Sequence, residues 1–277
     1  MLPKQHLQAL LRAYQSESGR RPTSKTAQAL VDSLGFGRIV GKQWLITDLD
    51  RERIRTFLQH VEGIDPETLP DAWSGLTRIE VGELGLNEKL AGRRPREDRL
   101  ALRGPAGLHL GEASILLPAQ AFLDIPLTEA ACFRHDCIVV VENFEAFIRY
   151  EDAAIEQPFL QPLLVFRGDS INTADTVLKF LRTGEAPVIA WPDMDAAGLL
   201  YASGLPRLAG IIGPENPQEC LSSYGRDDLY LDQLRQLDAL CLRGKSTALE
   251  NSIRKSRKGL DQERMISAAI SLILWTT

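Results

Sequence analysis

No uncharged apolar run in the 277-residue sequence reaches about 18 residues, so no membrane-spanning helix is expected. The opening segment, MLPKQHLQALLRAYQSE, turns polar early and has no small-residue cleavage site, so no signal peptide is expected either. Cysteine is scarce. Cys132, Cys137, Cys220 and Cys241 include no CxxC pair, which excludes a zinc ribbon and a disulfide framework. They read as reduced, partly buried thiols of a cytoplasmic protein. His6, His60, His109 and His135 have no ligand spacing. LRGKST (242–247) has the tail of a phosphate loop without its glycine frame or preceding strand, so nucleotide hydrolysis there is excluded.

What is present is ordinary in bulk and uneven in detail. At 44% hydrophobic and 25% charged, the chain can bury a core and form one to three domains. The net charge is -5, yet residues 1–60 carry ten Lys/Arg against five Asp/Glu, and the rest carries 22 against 32. A polyanion is repelled by the whole and attracted by the N-terminal module or by local basic patches, so any nucleic-acid contact must be local.

Residues 1–60 read as helix, helix, ribbon, helix. Leu7, Leu10, Leu11 and Tyr14 have helical spacing; a second helix starts at Thr23 or Ser24 and stops at Gly35; a ribbon turns near Gly41; a third helix begins near Asp48 or Asp50. This is the outline of a winged helix-turn-helix, which holds DNA, or of a small helical module that docks on a protein. Residues 61–125, rich in proline and glycine, read as a connector with partial structure. Within it Arg93, Arg94 and Arg96 can contact phosphate or remain a solvated surface.

Residues 126–277 alternate apolar runs with helical segments: CIVVVEN (137–143), PLLVFRGD (162–169), APVIAWPDMDAAG and GIIGPE. That pattern predicts an α/β domain with a parallel sheet flanked by helices. The tail, STALENSIRKSRKGLDQERMISAAISLILW, reads as two helices around a basic knuckle of Arg254, Lys255, Arg257 and Lys258, either a DNA-backbone contact or a solvated face.

Ligands of open α/β sheets sit at the carboxyl ends of strands. Glu142 ends the first strand, Asp169 the second, and Asp193 and Asp195 the third. Four carboxylates on one edge repel one another unless a hard cation such as Mg²⁺ neutralises them. The one-residue spacing turns Asp193 and Asp195 the same way and sends Met194 into packing; Gly198 lets the next helix come close. Each acid also has a plainer reading: Asp193 as a turn or N-cap, Glu142 as a cap for the helix near Phe144, Asp169 as a cap for a helix starting at Ile171.

A strand-ending glutamate followed by a strand-ending DxD resembles the Toprim domain of topoisomerases, primases and nucleases. VVENFEAFIRY (140–150), WPDMDAAG (191–198) and GLDQERMI (259–266) more closely resemble the JetD family of Wadjet anti-plasmid systems and the Mks-associated nucleases, over roughly residues 126–277. The resemblance implies a Toprim-like metal-dependent DNA endonuclease acting with a condensin-like SMC complex on double-stranded DNA. Glu142, Asp193 and Asp195, with Asp169 as a further candidate, would hold Mg²⁺ or Mn²⁺; Glu263, beside Gln262, would be an additional catalytic acid. Cutting both strands implies a homodimer. Two departures stand out: the chain is shorter than typical members, and WPDMD replaces a Gly-Asp-x-Asp form, with Pro192 stiffening the strand end. The alternatives are a non-catalytic DNA-binding or structural subunit, or a topoisomerase- or primase-like enzyme. Tyr14, the one tyrosine in residues 1–60, belongs to an apolar stripe and reads as packing rather than a nucleophile. His135, ahead of the first strand, reads as surface at the far end of the sheet.

Overall fold

The computed structural model describes residues 2–84, 86–92, 96–156, 159–169 and 174–277. The chain forms two compact units, Met1–Pro95 and Arg96–Thr277.

In the first unit, α1 (Lys4–Gln15), β1 (Arg20–Pro22), α2 (Lys25–Leu34), β2 (Arg38–Val40), β3 (Gln43–Leu45) and α3 (Asp48–Phe57) follow in order, with α4 (Arg78–Glu83) further on. Leu7, Leu10 and Leu11 of α1 are buried, the stripe that helical spacing predicts. Ser24 caps α2 by accepting from the Ala27 N–H, and Gly35 closes it in the left-handed region at φ 64°. Thr47 and Asp50 form a reciprocal capping box on α3. β2 and β3 are the expected ribbon, turning through Gly41, and β1 adds a third antiparallel strand in the order β1-β3-β2. Tyr14 packs partly buried against this unit's core and donates to Glu67 at 3.3 Å.

The second unit contains β4 (Arg99–Arg103), β5 (Leu108–Leu110), β6 (Ala113–Ile115), β7 (Leu123–Pro126), α5 (Leu127–Ala130), β8 (Phe133–Arg134), β9 (Cys137–Val141), α6 (Phe144–Ile148), β10 (Pro162–Phe166) and α7 (Ala174–Thr183). It continues with β11 (Val188–Trp191), α8 (Ala196–Ser203), β12 (Leu208–Pro214), α9 (Pro217–Tyr224), α10 (Asp228–Leu231), α11 (Leu234–Ala239), α12 (Thr247–Ser256), α13 (Gln262–Ser267) and β13 (Leu272–Thr276). Seven strands make one sheet in the order β13-β12-β11-β9-β10-β4-β7; β6-β5-β8 form a small second sheet.

The parallel sheet read from the alternating pattern is therefore a mixed sheet. β12, β11, β9 and β10 run parallel, whereas β13 pairs antiparallel with β12, and β4 and β7 extend the opposite side antiparallel. The four parallel strands are those joined through helices, as a parallel crossover requires; the flanking strands come from outside that run.

The stretch 61–125, read as a connector, divides between the two units. Trp73, Val81 and Leu90 are buried in the first core, while β4 and β7 belong to the large sheet. RLALR conceals a strand because both of its arginines are neutralised: Arg99 meets Asp124 at 2.8 Å and Arg103, only 4% exposed, meets Glu151 at 2.6 Å. The tail differs in the same way. After α12 and α13, the run LILWT is strand β13 rather than the end of a helix.

Candidate active site

The parallel core places β9 between β10 and β11, so the chain leaves β9 to one side and returns on the other. Reversals of this kind open a crevice at the carboxyl ends of the strands. Val141 and Trp191 are register partners, and the next backbone link runs from the Glu142 N–H to the Trp191 carbonyl at 3.1 Å. Glu142 and Asp193 thus sit at adjacent strand ends, as their sequence positions predict.

Glu142 is gripped from two sides. Arg167 meets it at 2.6 Å, and its Oε2 accepts from the Asp193 backbone N–H at 3.1 Å. Gly198 explains the closeness of α8. A Cβ there would stand 2.5 Å from the Asp193 carbonyl and 2.8 Å from Glu142 Oε2, so a side chain has no room. Asp193 Oδ1 accepts from the Gln262 backbone N–H at 2.8 Å. Asp195 is the cap of α8: Oδ1 accepts from the Gly198 N–H at 2.7 Å and Oδ2 from Gln233 Nε2 at 2.7 Å. Met194 between them is buried, and its backbone exchanges two hydrogen bonds with Leu260, at 2.8 and 3.0 Å.

Gln262 is the brace of the edge. Wholly buried, it donates from Nε2 to the Trp191 carbonyl at 2.9 Å and accepts from the Asn143 N–H at 2.7 Å. Asn143, not Glu142, caps α6, and its Nδ2 donates to Glu263 at 2.6 Å. Glu263 is exposed and joins the edge through that contact.

The electrostatics follow from this crowding. Burial pushes the Glu142 carboxyl up; the Arg167 guanidinium and the Asp193 N–H hold it down, and Asp195 and Glu263 push it up again. Burial and then Glu142 raise Asp193 to about 7, with the Gln262 N–H opposing. Desolvation is thus the largest cause for both carboxyls, and the mutual repulsion of the acids adds to it. Tyr201 adds a second sign of an incomplete environment. Its ring lies 5.2 Å beneath the Arg167 guanidinium, and its buried hydroxyl has no hydrogen-bond partner among the described residues.

These donors suit a hard cation in type and charge. They are not arranged as a finished cage: among the described residues, no group of three or more His, Cys, Asp or Glu side chains stands together as one. The reason is local, since Glu142, Asp193 and Asp195 are each turned onto a protein donor.

Other candidate residues are placed differently. Asp169 is exposed, beyond Gly168 (φ 109°); from the end of β10 it is Arg167 that reaches Glu142. Arg254 serves the fold, meeting Glu250 at 2.9 Å and the Leu237 carbonyl at 2.7 Å. Lys255 and Arg257 are exposed and Lys258 half-buried. Arg96 meets Asp124 at 3.3 Å, and Arg93 and Arg94 lie outside the described residues. Sequence reasoning missed Arg167, Asn143 and Gln233. The first two stand beside singled-out acids, in FRGD and VVEN, but nothing in the order of residues tells that they pair.

One family model matches, over residues 99–274, described as a domain of unknown function, DUF7281. No curated protein matches the chain.

Proposed function

The chain belongs to the DUF7281 family, and we propose that this member is a Mg²⁺- or Mn²⁺-dependent DNA endonuclease. The observation that carries the reading is the pair Glu142 and Asp193 on adjacent strand ends, both half-buried, where desolvation and then Glu142 raise Asp193 to about 7. Glu142 and Asp193 would hold the ion, with Asp195 adding charge from the cap of α8 and Asp169 a further candidate at the next strand end. When bound, the ion polarises a phosphodiester and lowers the pKa of a water.

The chain's own groups supply the rest. Arg167, a planar guanidinium beside the acids, would suit a phosphate oxygen if Glu142 held the ion. Gln262 fixes the acids through the backbone, and Glu263 lies one residue outside them as the additional acid. Lys255, Arg257 and Lys258 offer backbone contacts. The finer fold reading belongs to the same proposal: a Toprim-like domain, with a winged-helix-like module in residues 1–60 for DNA or protein. By resemblance the protein works in the cytoplasm as a dimer on double-stranded DNA, delivered by a condensin-like SMC complex in anti-plasmid defence.

A second reading is favoured by the same hydrogen bonds. Asp195 is fully used as a helix cap and Glu142 is ion-paired, as in a non-catalytic DNA-binding subunit whose acids are structural. Incubating the protein with closed circular and linear DNA, with and without Mg²⁺ or Mn²⁺, separates the two. Cleavage that needs the ion and vanishes in Asp193→Ala with DNA binding retained supports the enzyme. Metal-indifferent binding without cleavage, even beside SMC partners, supports the second reading.

A further inference from the structure

A cleft of about 760 Å³ opens beside the acid edge, lined by residues of α6, α9 and α13 and of the segments flanking them. Helix α13 connects the two places: Gln262 points into the acid edge, while Glu263 and Arg264 line the cleft. The Arg264 guanidinium lies over the ring of Tyr224, 5.3 Å from its centroid, and Tyr224 is 38% exposed. Two more arginines line the cleft, each already tied to acids. Arg149 meets Glu145 and Asp152, and Arg226 meets Asp228 and Asp261.

The contents of the cleft define its ligand. Its volume falls in the range of about 300–1,000 Å³ typical of small-ligand sites. Four acids outnumber three arginines along the wall, so it is no trough for the dense charge of a duplex. What it offers is a flat, half-exposed aromatic capped by a planar cation. Bases that have left a stack settle on such surfaces.

We infer that this cleft is a subsite for one unpaired nucleotide of the strand presented to Glu142 and Asp193, its base stacked on the Tyr224–Arg264 pair. The strand in this statement rests on the phosphodiester reading above. The subsite assigns that reading a substrate class: DNA locally opened, nicked or frayed at the site.

The test is equilibrium binding of a fluorescent oligothymidylate, a blunt duplex of equal length and free thymidine monophosphate, all in EDTA so that nothing is cut. The full chain is compared with Tyr224→Ala, Tyr224→Phe and Arg264→Ala, each checked for an unchanged melting curve. Tyr224→Ala should weaken single-strand binding roughly tenfold, as the loss of one stacked base implies. Tyr224→Phe should retain it, Arg264→Ala should weaken it, and duplex binding should stay within about twofold. Equal losses on duplex and single strand, no loss at all, or no single-strand binding by the native protein would each overturn the subsite. Free nucleotide binding as tightly as the strand would overturn the assignment to a strand. The cleavage assay with Asp193→Ala reads the nuclease proposal separately, so a protein that never cuts but loses single-strand binding in Tyr224→Ala keeps the subsite and loses the enzyme.

Discussion

The Nε2 of Gln262 donates to the carbonyl of Trp191 at 2.9 Å, joining residues 71 positions apart at the point where the third parallel strand ends. Oε1 of the same side chain accepts from Asn143, so one amide ties two strand ends to α13. Gln262→Ala leaves the part-buried Asn143 N–H without its partner, at about 1–3 kcal/mol, and takes one of two donors from the Trp191 carbonyl, which keeps the Glu142 N–H. The expected result is a clear drop in the urea midpoint with an unchanged m-value.

Asp193 gives a pH signature. In the unfolded chain it titrates near 4, and in the folded protein at about 7. The native state therefore holds an extra proton between those values, and this contribution is full at the acid end and lost as pH rises through about 7. Unfolding free energy of the metal-free protein, measured from about pH 5 to pH 8, should fall by up to ~1.4 kcal/mol per unit from this group. Asp193→Asn should flatten that slope. A slope identical in both proteins rules the assignment out.

Gly198→Ala tests the approach of α8 to the acids. The added methyl meets a backbone carbonyl at 2.5 Å, which cannot yield as a side-chain end would. Overpacking of this kind costs about 1–3 kcal/mol. The melting temperature should fall, and any activity that depends on Glu142 should fall further than the lost stability explains.

Arg167 and a metal ion are expected to compete for one carboxylate. Arg167→Met removes the counter-charge that meets Glu142 at 2.6 Å and should lower stability in EDTA. Saturating Mn²⁺ should recover most of that loss, because the ion supplies the missing charge; a ligand at about 100 times its Kd contributes about 2.7 kcal/mol. A melting curve that Mn²⁺ leaves unmoved in both proteins counts against the cation reading.

The sequence made some of this legible. CIVVV, PLLVF and VIAW are apolar on every residue, as strands buried on both faces must be, and they became β9, β10 and β11. The acids that follow two of them, Glu142 and Asp193, became neighbours for the same reason. Short strands with charged ends stayed hidden: Arg99 and Arg103 look like surface until Asp124 and Glu151 are seen beside them. Partner choice was also out of reach. Nothing local tells that Arg167, at the end of β10, finds Glu142 25 residues away, and the 119-residue separation of Asn143 and Gln262 leaves no local trace either.

The two backbone hydrogen bonds between Met194 and Leu260 make the aspartate loop and the approach to α13 a single mechanical piece. Neither loop can swing away while the other stays, so their amides should exchange with deuterium at one common rate. Anyone transplanting the aspartate motif to another scaffold would have to carry residues 259–262 along with it, or the acids would arrive without the clasp that aims them.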